Sequence, residues 1–221
     1  MLLVVGLGLL VAAPPLAGPL LAVSAATALG SVAISRRRAV VLRRAAFTDR
    51  LTGLYRYEYF ADALPRELER VRRYDTELSL VVFDLDRFKE FNDRHGHAAG
   101  NLLLAGVGRA LKRETRGTDL AARFGGEEFA LVLPGTSGAA ASKLLLRLKR
   151  IVSGLTVQHE QRLVMVTASF GMASHMDDER RFDTHEAFVK AADEALYAAK
   201  HAGRDRVGEL GAGGEGYVFH Q

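Results

Sequence analysis

The chain has no cysteine, which excludes a disulfide framework, a thiolate metal site and a cysteine nucleophile. Any metal it binds must be held by carboxylates, histidines or carbonyls. Charge is missing from positions 1–35, where no Asp, Glu, Lys or Arg occurs. A true basic surplus is missing as well, although the net charge is +4. Setting aside Arg36, Arg37, Arg38, Arg43 and Arg44 leaves 25 of the 30 basic residues against 26 acidic ones, so the chain from Ala45 onward carries about −1. The basic character therefore lies in one cluster, which removes the support for nucleic-acid binding. The 221 residues are 48% hydrophobic and 25% charged, which excludes a disordered or collagen-like chain and suits one or two domains.

An uncharged apolar run followed at once by arginines reads as a membrane segment with its stop on the cytoplasmic side. Leu16 to Ile34 supplies one span of the roughly 20 residues a helix needs. Pro14-Pro15 leaves a broken or re-entrant first segment open. A cleaved signal peptide is the rival reading, but there is no basic n-region, and arginines directly after the apolar run resist translocation. The expected organisation is a transmembrane segment at 1–35, a juxtamembrane linker helix at 36–47, a domain at 48–208 and a flexible glycine-rich tail at 209–221. The alternative expectation is that the chain is the tail of a longer membrane protein. The expected location is the inner membrane, with the lipid bilayer as a partner and the domain in the cytoplasm.

Within the domain, Glu58 to Tyr74 predicts a helix with Pro65 as a kink or restart. Leu78 to Leu85 is an apolar run of central-strand length. A short helix at Arg87 to Arg94 and a longer one from His97 to Thr115 follow. Leu120 to Phe124 and Phe129 to Leu133 predict a hairpin across Gly125-Gly126. Then come a helix at Ser137 to Val152, strands at Leu155 to His159 and Leu163 to Ala173, a helix at His185 to His201 and an edge strand at Arg206-Val207. The fold class is α/β (α+β): a mixed, mostly antiparallel sheet flanked by helices.

Two acidic clusters carry the chemical signal. Asp84 and Asp86 end the apolar strand, and Glu127 and Glu128 follow the two glycines. Separately they read as a helix cap and a solvated turn. Together, carboxylates on neighbouring strand ends, with no His or Cys nearby, are what a Mg²⁺ site acting on phosphates requires.

RFGGEEF (Arg123 to Phe129) resembles the signature of the GGDEF family, the diguanylate cyclases. DRLTGL (Asp49 to Leu54), FDLDRFKEFNDRHGHAAGN (Phe83 to Asn101), VTASFGMA (Val166 to Ala173) and ADEALYAAKHAGRDRV (Ala192 to Val207) resemble further motifs of that family, in its order. The resemblance implies a palm-like fold and the joining of two GTP into cyclic di-GMP plus two pyrophosphates across a homodimer. It implies two Mg²⁺ ions per site, with Mn²⁺ as an alternative. Asp84, the Leu85 carbonyl and Glu127 would be metal ligands. Glu127 would activate the 3′-hydroxyl, Glu128 would support it and Lys89 would offset transition-state charge. Phe88, Lys89, Asn92, His97, Asn101, Lys200 and Arg204 would contact substrate.

Asn101 stands where the family usually has Asp, which puts guanine selectivity in doubt. Tyr55-Arg56-Tyr57 departs from the family pattern where little chemistry is expected, and Asp205 replaces a common Asn. Arg116 and Asp119 form an RxxD whose offset from Gly125 matches the family's product-inhibition site for cyclic di-GMP; alone, it reads as a surface ion pair. The competing function is a non-catalytic receptor for GTP or cyclic di-GMP. Receptors of this family commonly lose the signature acids, which are present here.

Overall fold

The computed structural model describes residues 47–159, 162–176, 181–210 and 216–221. The expected membrane segment 1–35, and the linker helix 36–47 apart from Phe47, lie outside the described residues. Among the described residues no helix is long and apolar enough to cross a membrane.

The elements run β1 (Tyr55–Arg56), α1 (Tyr57–Tyr74), β2 (Leu78–Leu85), α2 (Phe88–Glu114), β3 (Leu120–Gly125), β4 (Glu128–Pro134), α3 (Gly138–Ser153), β5 (Val157–His159), β6 (Arg162–Val164), β7 (Ala168–His175), α4 (His185–His201), β8 (Val207–Leu210) and β9 (Tyr217–His220). A seven-stranded sheet has the order β1-β3-β4-β2-β7-β8-β9. Its β1–β3 and β7–β8 pairs are parallel and the other four are antiparallel. This is the mixed α/β sheet the sequence predicts.

Strand β2 is central because both its faces are apolar. Val81, Phe83 and Leu85 pack with the side chains of α2 and α3, while Leu78, Leu80 and Val82 pack with those of α1 and α4. Helices on both faces explain why the strand shows a continuous apolar run instead of alternation. Phe83 lies opposite Phe129 on β4 and Phe170 on β7. Their ring centroids are 5.0 and 4.6 Å from that of Phe83, a cross-strand aromatic row that ties the three central strands together.

Helix α4 approaches the sheet closely at two glycines. A Cβ on Gly171 would collide with the backbone of Ala192 and Leu196, and one on Gly208 with the Ala195 carbonyl. The small Ala192, Ala195 and Ala199 complete this contact face and are fully buried. The end of α4 is therefore set over the ends of β2 and β7 by backbone packing.

The two helices expected after β2 are present as the segments of α2 on either side of Gly96, whose φ of 79° and ψ of 155° are not helical. The structure departs from the expected elements elsewhere. Helix α1 continues through Pro65 without a restart. The strand expected at 163–173 is divided. β6 pairs with β5 in a separate two-stranded sheet, and β7 begins only at Ala168. The break falls where Thr167 turns its carbonyl and hydroxyl toward Asp86. Finally, the tail expected to be flexible forms β9 at Tyr217–His220, antiparallel to β8. Tyr217, Val218 and Phe219 favour strand, and the Arg206 guanidinium lies 5.8 Å from the Phe219 ring centroid.

Candidate active site

The β3–β4 turn is built on Gly125 (φ 152°) and Gly126 (φ 49°), conformations that glycine adopts without steric cost. A register shift between Arg123 and Gly125 marks a bulge before the turn. Arg123 fixes the turn from beneath: its Nε and Nη2 donate to the Gly126 carbonyl at 3.1 and 2.6 Å. Its Nη1 reaches Asp49 Oδ1 at 3.2 Å. The Asp49 carboxylate also accepts from the Thr52 amide at 2.8 Å and the Thr52 hydroxyl at 2.7 Å. Burial works to raise the Asp49 carboxyl, but the Thr52 hydrogen bonds and the Arg123 charge outweigh it and hold the group below its ordinary value. Asp49 and Arg123 carry no expected role in their motifs; their side chains link the first motif to the signature turn.

Asp84 on β2 lies directly opposite Glu128 on β4, so the two carboxylates share one face of the sheet. Glu127 stands on the turn beside them, and its carbonyl accepts from the Leu85 amide at 3.3 Å. Lys200, on the last turn of α4, places Nζ 3.1 Å from Asp84 Oδ1. Partial burial raises the Asp84 carboxyl above its ordinary range. Lys200 opposes that shift, and the charges of Glu127 and Glu128 add to it. Asp193, one of the charged residues of α4, is raised too, by burial and then by Glu128. Sequence reasoning passed over Asp193, which the ADEALY motif contains.

Among the described residues no group of three or more His, Cys, Asp or Glu side chains could hold a metal. The donors that the family resemblance would assign to a metal are the Asp84 and Glu127 carboxylates and the Leu85 carbonyl, from the end of β2 and the adjoining turn. An all-oxygen set with excess negative charge, already drawing an ammonium, fits a hard divalent cation such as Mg²⁺.

Asp86 behaves differently from Asp84. Its carboxylate accepts from the Thr167 hydroxyl at 2.6 Å, the Ser169 hydroxyl at 2.7 Å and the Asp205 amide at 3.1 Å. It is a structural tie between β2, the β7 approach and the loop after α4. It does not cap α2, whose N-cap residue is Arg87, with no side-chain cap hydrogen bond.

The remaining predicted residues spread around this centre. Phe88 is buried and Lys89 exposed on the first turn of α2. The Asn92 Oδ1 is buried without a hydrogen-bond partner, and Gly100 packs so close to that side chain that a Cβ would collide with it. The break at Gly96 thus brings the exposed Asn101 to the neighbourhood of Asn92, while His97 is exposed next to the break. Arg204, in a left-handed conformation with φ 62°, lines a cavity of about 580 Å³ with Asp86, Arg87 and Arg94. Arg116 and Asp119 form a tight turn in which Asp119 Oδ2 accepts from the Arg116 amide at 2.7 Å. That turn precedes β3, while Gly125 ends it, so the two are separated by roughly 17 Å of strand. The RxxD pair is not brought into the carboxylate site.

The family described as Diguanylate cyclase, GGDEF domain, matches residues 46–206. Diguanylate cyclase DgcP of Pseudomonas aeruginosa is 39% identical over 165 residues, 75% of this chain and 24% of that protein. Diguanylate cyclase A of Treponema denticola is 36% identical, over 72% of this chain and 43% of that protein. The match thus spans less than half the length of either relative. Among solved structures, diguanylate cyclase SiaD of Pseudomonas aeruginosa, in complex with its activator SiaC, superposes with a TM-score of 0.76 at 35% identity, covering 86% of this chain and 71% of that one. The coiled coil and GGDEF domain of DgcB from Caulobacter crescentus, in complex with c-di-GMP, gives a TM-score of 0.72 at 30% identity, covering 86% and 98%. The match to residues 46–206 covers the whole carboxylate site, and the chain belongs to the GGDEF family of diguanylate cyclase domains.

Proposed function

We propose that the chain is a membrane-anchored diguanylate cyclase that condenses two GTP into cyclic di-GMP with release of two pyrophosphates. The observation that carries this reading is the convergence of Asp84, Glu127, Glu128 and Lys200 at the signature turn, with no signature acid lost. Two Mg²⁺ ions, or Mn²⁺, held by Asp84, the Leu85 carbonyl and Glu127, would offset charge on the triphosphate and the leaving pyrophosphate. Glu127 accepts the proton of the attacking 3′-hydroxyl, and Glu128 keeps the turn acids in place. Lys89, Lys200 and Arg204 draw the phosphates in. Lys200 and Arg204 sit at or beyond the C-terminus of α4, where the helix dipole disfavours anions, so their side-chain charge supplies the attraction. Each domain holds one GTP, and two copies of the chain must face each other to make both phosphodiester bonds.

The test is the full chain in lipid vesicles, given GTP and Mg²⁺, with products identified by mass spectrometry. Cyclic di-GMP is expected. Nucleotide binding without any cyclic dinucleotide would favour the receptor reading instead.

The anchor rests on the uncharged residues 1–35 and the arginine cluster behind them. Deleting residues 1–35 should move the protein from the membrane fraction to the supernatant. Arg116 and Asp119 are assigned to product binding on their offset from the signature and on their separation from the carboxylate site. Arg116→Ala should weaken inhibition by cyclic di-GMP, and an unchanged inhibition constant would remove that assignment.

A further inference from the structure

Lys200 occupies an unusual place for a phosphate-binding residue. Its ammonium rests on Asp84 Oδ1 at 3.1 Å, with the two side chains 29% and 13% exposed. A pair this well covered is only weakly screened by solvent. Asp84 faces Glu128 directly across the strand pair, and opposed like charges are unfavourable. Glu127 adds a third negative charge to the same neighbourhood. Among the described residues, Lys200 makes the one ion pair that relieves Asp84.

The fold sets the helix end from which the Lys200 side chain extends. Helix α4 is seated by backbone contacts at Gly171 and Gly208, and its negative dipole end favours a cation at position 200. A divalent ion on Asp84 must share the carboxylate with the ammonium, against its positive charge. A triphosphate offers that ammonium another anionic partner.

We propose that Lys200 is a positioning residue that closes the metal site of the free protein and is drawn off Asp84 by the nucleotide's phosphates, so that metal and nucleotide bind cooperatively. This rests on the assignment of Asp84 as a metal ligand. The wild-type protein then binds divalent metal weakly until nucleotide arrives, which guards the acids against occupancy by a lone ion. Lys200 serves two partners in turn, one in each state.

The test is Mn²⁺ titration of the nucleotide-free full chain, following the free-ion signal by electron paramagnetic resonance. Lys200→Met should bind Mn²⁺ about tenfold more tightly than wild type, the size expected for removing one competing charge of about 1.4 kcal/mol. Lys200→Arg keeps the charge and should remain as weak as wild type, which guards against a general effect of substitution. Equal or weaker Mn²⁺ binding by Lys200→Met, with a melting curve like that of wild type, overturns the proposal. Asp84→Asn separates the two levels. If it abolishes Mn²⁺ binding while Lys200→Met changes nothing, the metal site stands and the gating fails. If it leaves Mn²⁺ binding intact, the metal assignment itself falls and the gating with it.

Discussion

Asp84 and Asp86 stand two residues apart at the end of one strand and have opposite surroundings. Asp86 is satisfied by two hydroxyls and a backbone amide drawn from two segments. Asp84 has one ammonium, a carboxylate directly opposite and another close by. The difference shows how one strand end can serve both stability and chemistry. A carboxylate whose lone pairs are filled by the fold holds the chain together, and one left short of partners is available to a cation and a substrate.

The largest expected effect lies on the Asp84 side. Glu127→Gln keeps size and hydrogen bonding but removes the charge and the proton acceptor, and should lower the rate of cyclic di-GMP formation roughly 100- to 10,000-fold. Its melting temperature should stay at or above that of wild type, because one repulsive charge is gone. On the Asp86 side the outcome reverses. Asp86→Ala leaves the Thr167 and Ser169 hydroxyls and the Asp205 amide without their acceptor and should cost about 2–4 kcal/mol of stability. Equal loss of melting temperature in the two variants, measured by circular dichroism, would erase the distinction between the acids.

The pH dependence sharpens the same contrast. The Asp84 carboxyl is raised from 3.8 chiefly by burial, so its ionised form costs stability above the folded value. That cost fades as the pH falls through the raised value toward 3.8. Asp49 is lowered from 3.8, so its contribution is present above 3.8 and is lost as the pH falls through the folded value. Chemical unfolding across acidic pH should therefore show Asp84→Asn more stable than wild type at neutral pH and equal to it in acid. Asp49→Asn should be less stable at neutral pH and converge on wild type in acid. The same sign for both variants at neutral pH would contradict these environments.

The parts of this architecture that were legible in the sequence are those whose signal is local. β2 was readable because its run of apolar residues meets helices on both faces, and the signature hairpin because two glycines interrupt two apolar strands. The break at Gly96 was legible too, since the pattern separates a short helix from a long one there. What escaped depends on distant partners. The Arg123–Asp49 link joins residues 74 apart, and the Asp86 tie to Asp205 spans 119. Nothing near Thr167 marks the point where one expected strand divides into β6 and β7. The strand at Tyr217–His220 was hidden by the glycines before it, although its own residues favour strand.

The smallest expected effect concerns the base, where a carboxylate is replaced by an amide. Asn101 follows Gly100, which packs against Asn92, and the Asn92 Oδ1 is a buried acceptor with no partner. Guanine presents two donors side by side, N1–H and the 2-amino group, and a carboxylate at position 101 accepts both. The Asn101 amide has one acceptor and one donor, which leaves one guanine donor unmatched but suits the acceptor N1 and donor 6-amino group of adenine. Selectivity for GTP over ATP should therefore be weakened. Asn101→Asp should restore it by about 3- to 10-fold, the worth of one hydrogen bond. Equal GTP and ATP in competition, with products separated by mass, measures this directly. A wild-type product containing only guanine, unchanged in Asn101→Asp, would mean that Asn92 and the surrounding backbone select the base without help from position 101.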